Sequence, residues 1–135
     1  MSYLYRHSFE NAEQSGEIEA YRESQKENIR CKNAIEKAIA DNFDGYYLSD
    51  TAVRTALADF GYDRTMWVLA VSILNKNDDG RFSHENKEWA RSVIPPYISQ
   101  KEMREYCVDS HPAVLNGFID EVRKEYAPQC YRYHK

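Results

Sequence analysis

Trp67-Val68-Leu69-Ala70-Val71-Ser72-Ile73-Leu74 decides the fold. Only Ser72 is polar in this run. Val and Ile would suit a strand, but the length of the pattern and the helical patterns on either side favour a helix. A helix that is apolar all round belongs at the centre of a domain. Asp63 is placed to cap it. Just upstream, Val53, Ala56, Leu57 and Phe60 form the buried stripe of a third helix, capped by Ser49 or Asp50 and closed by Gly61.

Downstream, Asn75-Lys-Asn-Asp-Asp-Gly-Arg-Phe-Ser-His-Glu-Asn-Lys-Glu-Trp89 joins the central helix to a fifth one and resembles a calcium loop. Such a loop needs carboxylates at positions 1, 3, 5 and 12 and glycine at 6. With Asn75 as position 1, Gly80 falls at 6 and Ser83 at 9. Position 12, however, is Asn86 and not a bidentate glutamate. Asp79 is the lone carboxylate at a ligand position, and Lys76 adds a cation. The better reading is a tight turn at Asp78-Asp79-Gly80 followed by a helix capped by Ser83. Phe82, Trp89, Ala90 and Val93 then face inward, and Pro95-Pro96 ends the helix.

Earlier in the chain, Tyr5, Phe9 and Ala12 trace a short helix that Gly16 interrupts. A long helix follows, from about Glu17 to Asn42, with Ile18, Tyr21, Asn28, Cys31, Ile35, Ala38 and Ile39 on one stripe. Its other face is rich in glutamate. There Glu23 with Lys26, and Glu27 with Arg30, make it largely self-neutralising. Asn42-Phe43-Asp44-Gly45 is its stop signal. Residues 97–108 could hold a short helix from Ser99 to Tyr106, or an extended piece around Tyr106-Cys107-Val108. Ser110 is placed to cap the last helix, with Pro112 in its first turn. Val114, Leu115, Phe118, Ile119, Val122 and Tyr126 form its stripe, and Pro128 its stop.

These readings give an all-α fold of about six helices in a single domain over residues 1–135. The core covers about 5–126 and is followed by a frayed tail over 127–135. Val53, Leu57, Phe60, Trp89, Leu115, Phe118 and Val122 are expected around the central helix. A chain of 135 residues with 42% apolar content can build one core unaided. No apolar run approaches the roughly 18 residues of a bilayer span, and the N-terminus lacks a secretory h-region. A cytoplasmic location is expected.

Chemistry is thin. Cys31, Cys107 and Cys130 form no Cys-x-x-Cys pair and read as packing thiols. His7, His84, His111 and His134 show no metal-protease spacing. Gly-x-Ser-x-Gly, dinucleotide and phosphate-loop patterns are absent from the sequence. No catalytic, cofactor-binding or metal-ligating residue is assigned, although Cys31 or His111 is kept as the residue a cryptic enzyme would use. The net charge of −4, with both signs interspersed, argues against direct nucleic-acid binding. The eleven tyrosines suit half-buried and interfacial positions.

Five segments carry a family resemblance: Tyr5-Arg6-His7-Ser8-Phe9, Asn42-Phe43-Asp44-Gly45, Asp79-Gly80-Arg81-Phe82-Ser83, Asn86-Lys87-Glu88-Trp89-Ala90 and Ser110-His111-Pro112-Ala113-Val114-Leu115. Together they resemble a domain family of unknown function from Firmicutes conjugative elements and prophages. The resemblance spans about Tyr5 to Tyr126. It implies a mobile-element setting shared with antirestriction and other anti-defence genes, which is an associational warrant. The expected function is therefore non-enzymatic: binding and inhibition of a host defence nuclease, as an anti-CRISPR protein would do. Asp78, Asp79, Arg81 and Glu88 are the candidate partner-binding residues. The alternative is a self-associating, homodimeric module of conjugation machinery.

Overall fold

The computed structural model describes residues 9–43, 50–75, 82–94, 98 and 100–133, with side chains described over 12–43, 54, 58–75, 82–94, 98 and 101–124. All the elements among the described residues are helices. They are α1 (Phe9–Ser15), α2 (Ile18–Asn42), α3 (Asp50–Asn75), α4 (His84–Val93), α5 (Gln100–Arg104) and α6 (Pro112–Tyr133). The all-α expectation holds.

The expected third and fourth helices are the two arms of α3. The backbone leaves helical geometry at Gly61, with φ 78° and ψ 167°. That region is essentially closed to residues with a Cβ. In the second arm Trp67, Val68, Leu69, Ala70, Val71, Ser72 and Ile73 are all buried. This arm is the centre of the molecule, and α3 packs against α2, α4, α5 and α6. Ile35, Ile39, Leu115, Phe118, Ile119 and Val122 complete the main core, and Phe60 and Trp89 pack against it partly buried. Val53 and Leu57 lie outside the described side chains.

Polar groups inside this core have partners. The Ser72 hydroxyl donates to the Val68 carbonyl at 2.7 Å and accepts from the Val108 N–H at 2.8 Å. Trp67 Nε1–H donates to the Tyr106 hydroxyl at 2.9 Å. The buried Arg64 guanidinium donates to the Ser24 carbonyl at 3.0 Å and to the Asn28 carboxamide at 2.5 Å. The bonds to Val108 and Tyr106 seat residues 106–108 on α3, and the two from Arg64 tie α3 to α2. Of the alternatives for residues 97–108, the short helix is present as α5, and a turn and a piece without helix or strand follow it over 105–109.

The helix ends follow local chemistry. Gly16, at φ 78°, closes α1. Its N–H donates to the Glu13 carbonyl and that of Glu17 donates to the Ala12 carbonyl, the paired bonds of a Schellman turn. Ala12, Ile18 and Tyr21 make a small separate cluster beneath this turn. α2 ends at Asn42 as expected, but through an extended Phe43, while the Asn42 side chain donates to the Ala38 carbonyl at 2.8 Å. Two expectations are corrected. His111, not Ser110, caps α6: its carbonyl accepts the Leu115 N–H and its Nδ1 accepts the Ala113 N–H. Pro112 at the first helical position has no N–H to satisfy, and of the orphan donors that follow it the Ala113 N–H is met by the His111 ring. In addition α6 continues through Pro128 to Tyr133, so Pro128 does not stop the helix. Proline's fixed φ fits a helix; it interrupts the ladder by withholding one donor and crowding one carbonyl. The caps proposed at Ser49 or Asp50 lie outside the described side chains.

At Gly61 and at Gly16 an added Cβ would meet nothing within 4 Å, so any cost of Ala there comes from the backbone alone. Gly61→Ala is expected to lower unfolding stability by about 1–3 kcal/mol. Gly16→Ala, at a left-handed helix C-terminus, is expected to cost roughly 1–2 kcal/mol. Urea denaturation of the two variants checks both the magnitudes and their order.

Candidate functional site

α4 has two unlike sides. Ser83 begins it as expected, its Oγ accepting the Asn86 N–H at 3.1 Å. Phe82 and Ala90 are buried and Trp89 leans on the core, as the sequence predicts. His84, Glu85, Glu88 and Arg91 are exposed on the outside. There the Glu88 carboxylate sits 3.6 Å from His84 Nε2 and 3.7 Å from Arg91. Its side chain is 61% exposed, so these pairs contribute little and leave it accessible to a partner. Of the four candidate partner-binding residues, Glu88 is therefore on a helix-presented charged face. Asp78, Asp79 and Arg81 lie outside the described residues.

Beneath that face is a polar seam that sequence reading missed. Asn86 is fully buried. Its amide donates to the Asn116 carboxamide oxygen at 2.8 Å and to an Asp120 oxygen at 2.9 Å. Its carbonyl accepts from the Arg123 guanidinium at 2.7 Å. The Asn116 oxygen also accepts the Ser83 N–H at 3.0 Å. Arg123 lies over the Trp89 ring, 5.8 Å from its centroid, within cation–π range. Asn116, Asp120 and Arg123 stand four and three residues apart and so share one face of α6. That spacing is present in the sequence, but spacing alone does not tell a polar seam from ordinary solvated positions.

The seam also bears on the calcium-like register. Asn86, at position 12, is engaged through both atoms of its carboxamide, and Ser83, at position 9, is the helix cap. Among the described residues no group of three or more His, Cys, Asp or Glu could hold a metal ion.

The two residues kept for cryptic catalysis are both engaged locally. Cys31 is buried, with Thr65 Oγ1 4.0 Å from its sulfur. Burial pushes its thiol up to about 11, with a smaller push from Glu27, against the lowering influence of Thr65 and Arg64. It stays protonated at neutral pH, whereas a nucleophilic cysteine needs the thiolate. His111 is the exposed cap of α6. Cys107 donates to the Met103 carbonyl at 3.2 Å and is half-buried. His7, Cys130 and His134 lie outside the described side chains.

The glutamate-rich face of α2 is internally paired. Arg22 meets Glu19, Lys26 meets Glu23, Arg30 meets Glu27 and Lys37 meets Asp41. The pairs foreseen at Glu23–Lys26 and Glu27–Arg30 are present. This face is thus a balanced mosaic and not an acidic patch.

Fold and site together define a small all-α domain whose distinctive polar structure is a buried seam supporting an exposed charged helix. The chain belongs to the DUF3849 family, described as a protein of unknown function, whose model matches residues 4–127. No curated protein and no solved structure matches it. None of the helices over the described residues is long and apolar enough to cross a membrane.

Two buried tyrosines make the stability pH-dependent. Tyr21 donates to Glu102 at 3.0 Å. Burial, and then the Glu102 carboxylate, raise its ionisation well above the ordinary 10.0. Tyr106 is raised chiefly by burial, against the lowering influence of the Trp67 bond. Raised folded-state values mean that the unfolded chain loses these protons first. Their contribution to stability is therefore full below pH about 10 and falls as pH rises above it. Cys31 adds to the same loss between 9.0 and about 11. Tyr21→Phe is expected to flatten the alkaline limb of the stability curve, measured by urea unfolding from pH 8 to about 11.

Proposed function

We propose that this protein acts by binding another protein and performs no reaction of its own. One observation carries the reading: α4 is locked on its inner side by Asn86 and Trp89, while His84, Glu85, Glu88 and Arg91 stand exposed on its outer side. Rigid helical presentation of charged side chains favours recognition, because little ordering is left to do on binding. The protonated Cys31 thiol and the capping role of His111 support the non-catalytic part.

The finer reading is an inhibitor of a host defence nuclease, of the anti-CRISPR kind, encoded on a mobile element. Its support is the resemblance of the five segments to domains of Firmicutes conjugative elements and prophages. A mildly acidic chain with interspersed charge is also better suited to a protein partner than to nucleic acid. Such an inhibitor would dock its α4 face near the nuclease's nucleic-acid site or its closing elements.

Two assays test this. Tagged protein is expected to retain a nuclease from lysate of a Firmicutes host, and Glu88→Lys with Arg91→Glu to weaken that retention by about tenfold or more. In a CRISPR-armed strain, expression is expected to restore plaque formation by a targeted phage. No retained nuclease together with no plaque restoration would remove the inhibitor reading. A dimer by light scattering, with neither effect, would favour the self-associating conjugation module instead.

A further inference from the structure

The seam between α4 and α6 is the polar joint of α4. α3 meets its neighbours mainly through apolar side chains, which fix burial but tolerate sliding and repacking, with added hydrogen bonds to α2 and to residues 106–108. Directional bonds join α4 to α6 at Asn86, and they are complete on both atoms of its carboxamide. Their three partners differ from Asn86 in one respect. Asn116 and Arg123 are half-buried and Asp120 is exposed, whereas Asn86 is fully buried. The partners can return to water if Asn86 is replaced by an apolar residue of similar size. Little net stability then depends on the seam, because its bonds replace bonds to water. What such a node does supply is register: shifting α4 by one turn along α6 would break every bond at once and leave a buried carboxamide unsatisfied.

We infer that Asn86 is a positioning residue whose role is to fix α4 in one register on α6, and with it the direction in which Glu88 and Arg91 point. The inference deepens the docking reading and takes its functional meaning from it. Its test uses the free protein, so the two can fail separately.

The experiment compares wild type with Asn86→Leu by two-dimensional amide NMR, hydrogen exchange and urea unfolding. Asn86→Leu is expected to keep one cooperative transition. Its α4 amides are expected to give doubled or broadened signals and to exchange about tenfold or more faster, while α3 amides stay as they were. Asn116→Ala removes the acceptor of both Ser83 N–H and the Asn86 amide. It is expected to produce the same signature confined to α4. Single sharp α4 signals with exchange within about twofold of wild type in both variants would overturn the inference. Global unfolding of Asn86→Leu would overturn it too, since the seam would then be a source of stability and not of register.

Discussion

Burial of the second arm of α3 on every side is the constraint on which the structure depends. A helix with one apolar stripe can rest on a single neighbour. This arm cannot, because Trp67, Val68, Leu69, Ala70, Val71 and Ile73 point in all directions and each must be kept from water. Four helices therefore gather round it, and the chain must double back repeatedly to supply them. The same burial forces a polar rule. Thr65, Ser72, the Trp67 N–H and the Arg64 guanidinium are all inside and must be bonded there. Their partners draw in α2 and the piece after α5, so two neighbours are positioned by hydrogen bonds as well as by packing.

α4 carries this pattern further. It and the preceding Phe82 supply apolar side chains to the common core, and its meeting with α6 is polar. The two kinds of contact suit different tasks. Apolar burial stabilises without direction, and hydrogen bonds select one arrangement while contributing little net stability. The charged residues most suited to recognition are carried by the helix held in the second way.

Much of the fold was legible in the sequence because its signals are strong and local. The Trp67–Leu74 run, the stripe of α2, the Ser83 cap and the break at Gly61 all follow from periodicity or from backbone chemistry within a few residues. Ser110 reads as the cap because serine is the commoner cap, although an unprotonated imidazole nitrogen can also accept an N–H, as that of His111 does. Pro128 was read as a stop from propensity alone, and propensity does not fix where a helix ends. The Asn86 seam was not legible for a different reason. A buried asparagine and a solvated one look alike until the partner helix is in place. Only the spacing of Asn116, Asp120 and Arg123 hinted that α6 carries a polar edge. Of the candidate site, Glu88 was found where expected, on an exposed face.

The placement of the two tryptophans gives the molecule a pair of separate optical reporters. Trp67 is dry and bonded to Tyr106, so its emission follows the integrity of the central packing. Trp89 is half-covered and lies under a guanidinium, so its emission follows the joint between α4 and α6. Replacing either with phenylalanine leaves a single tryptophan that watches one layer. Coincidence of the two signals during denaturation would mean that the joint and the centre melt together, and separation would mean that the joint opens first. The chain thus carries its own means of telling a local loosening from loss of the fold.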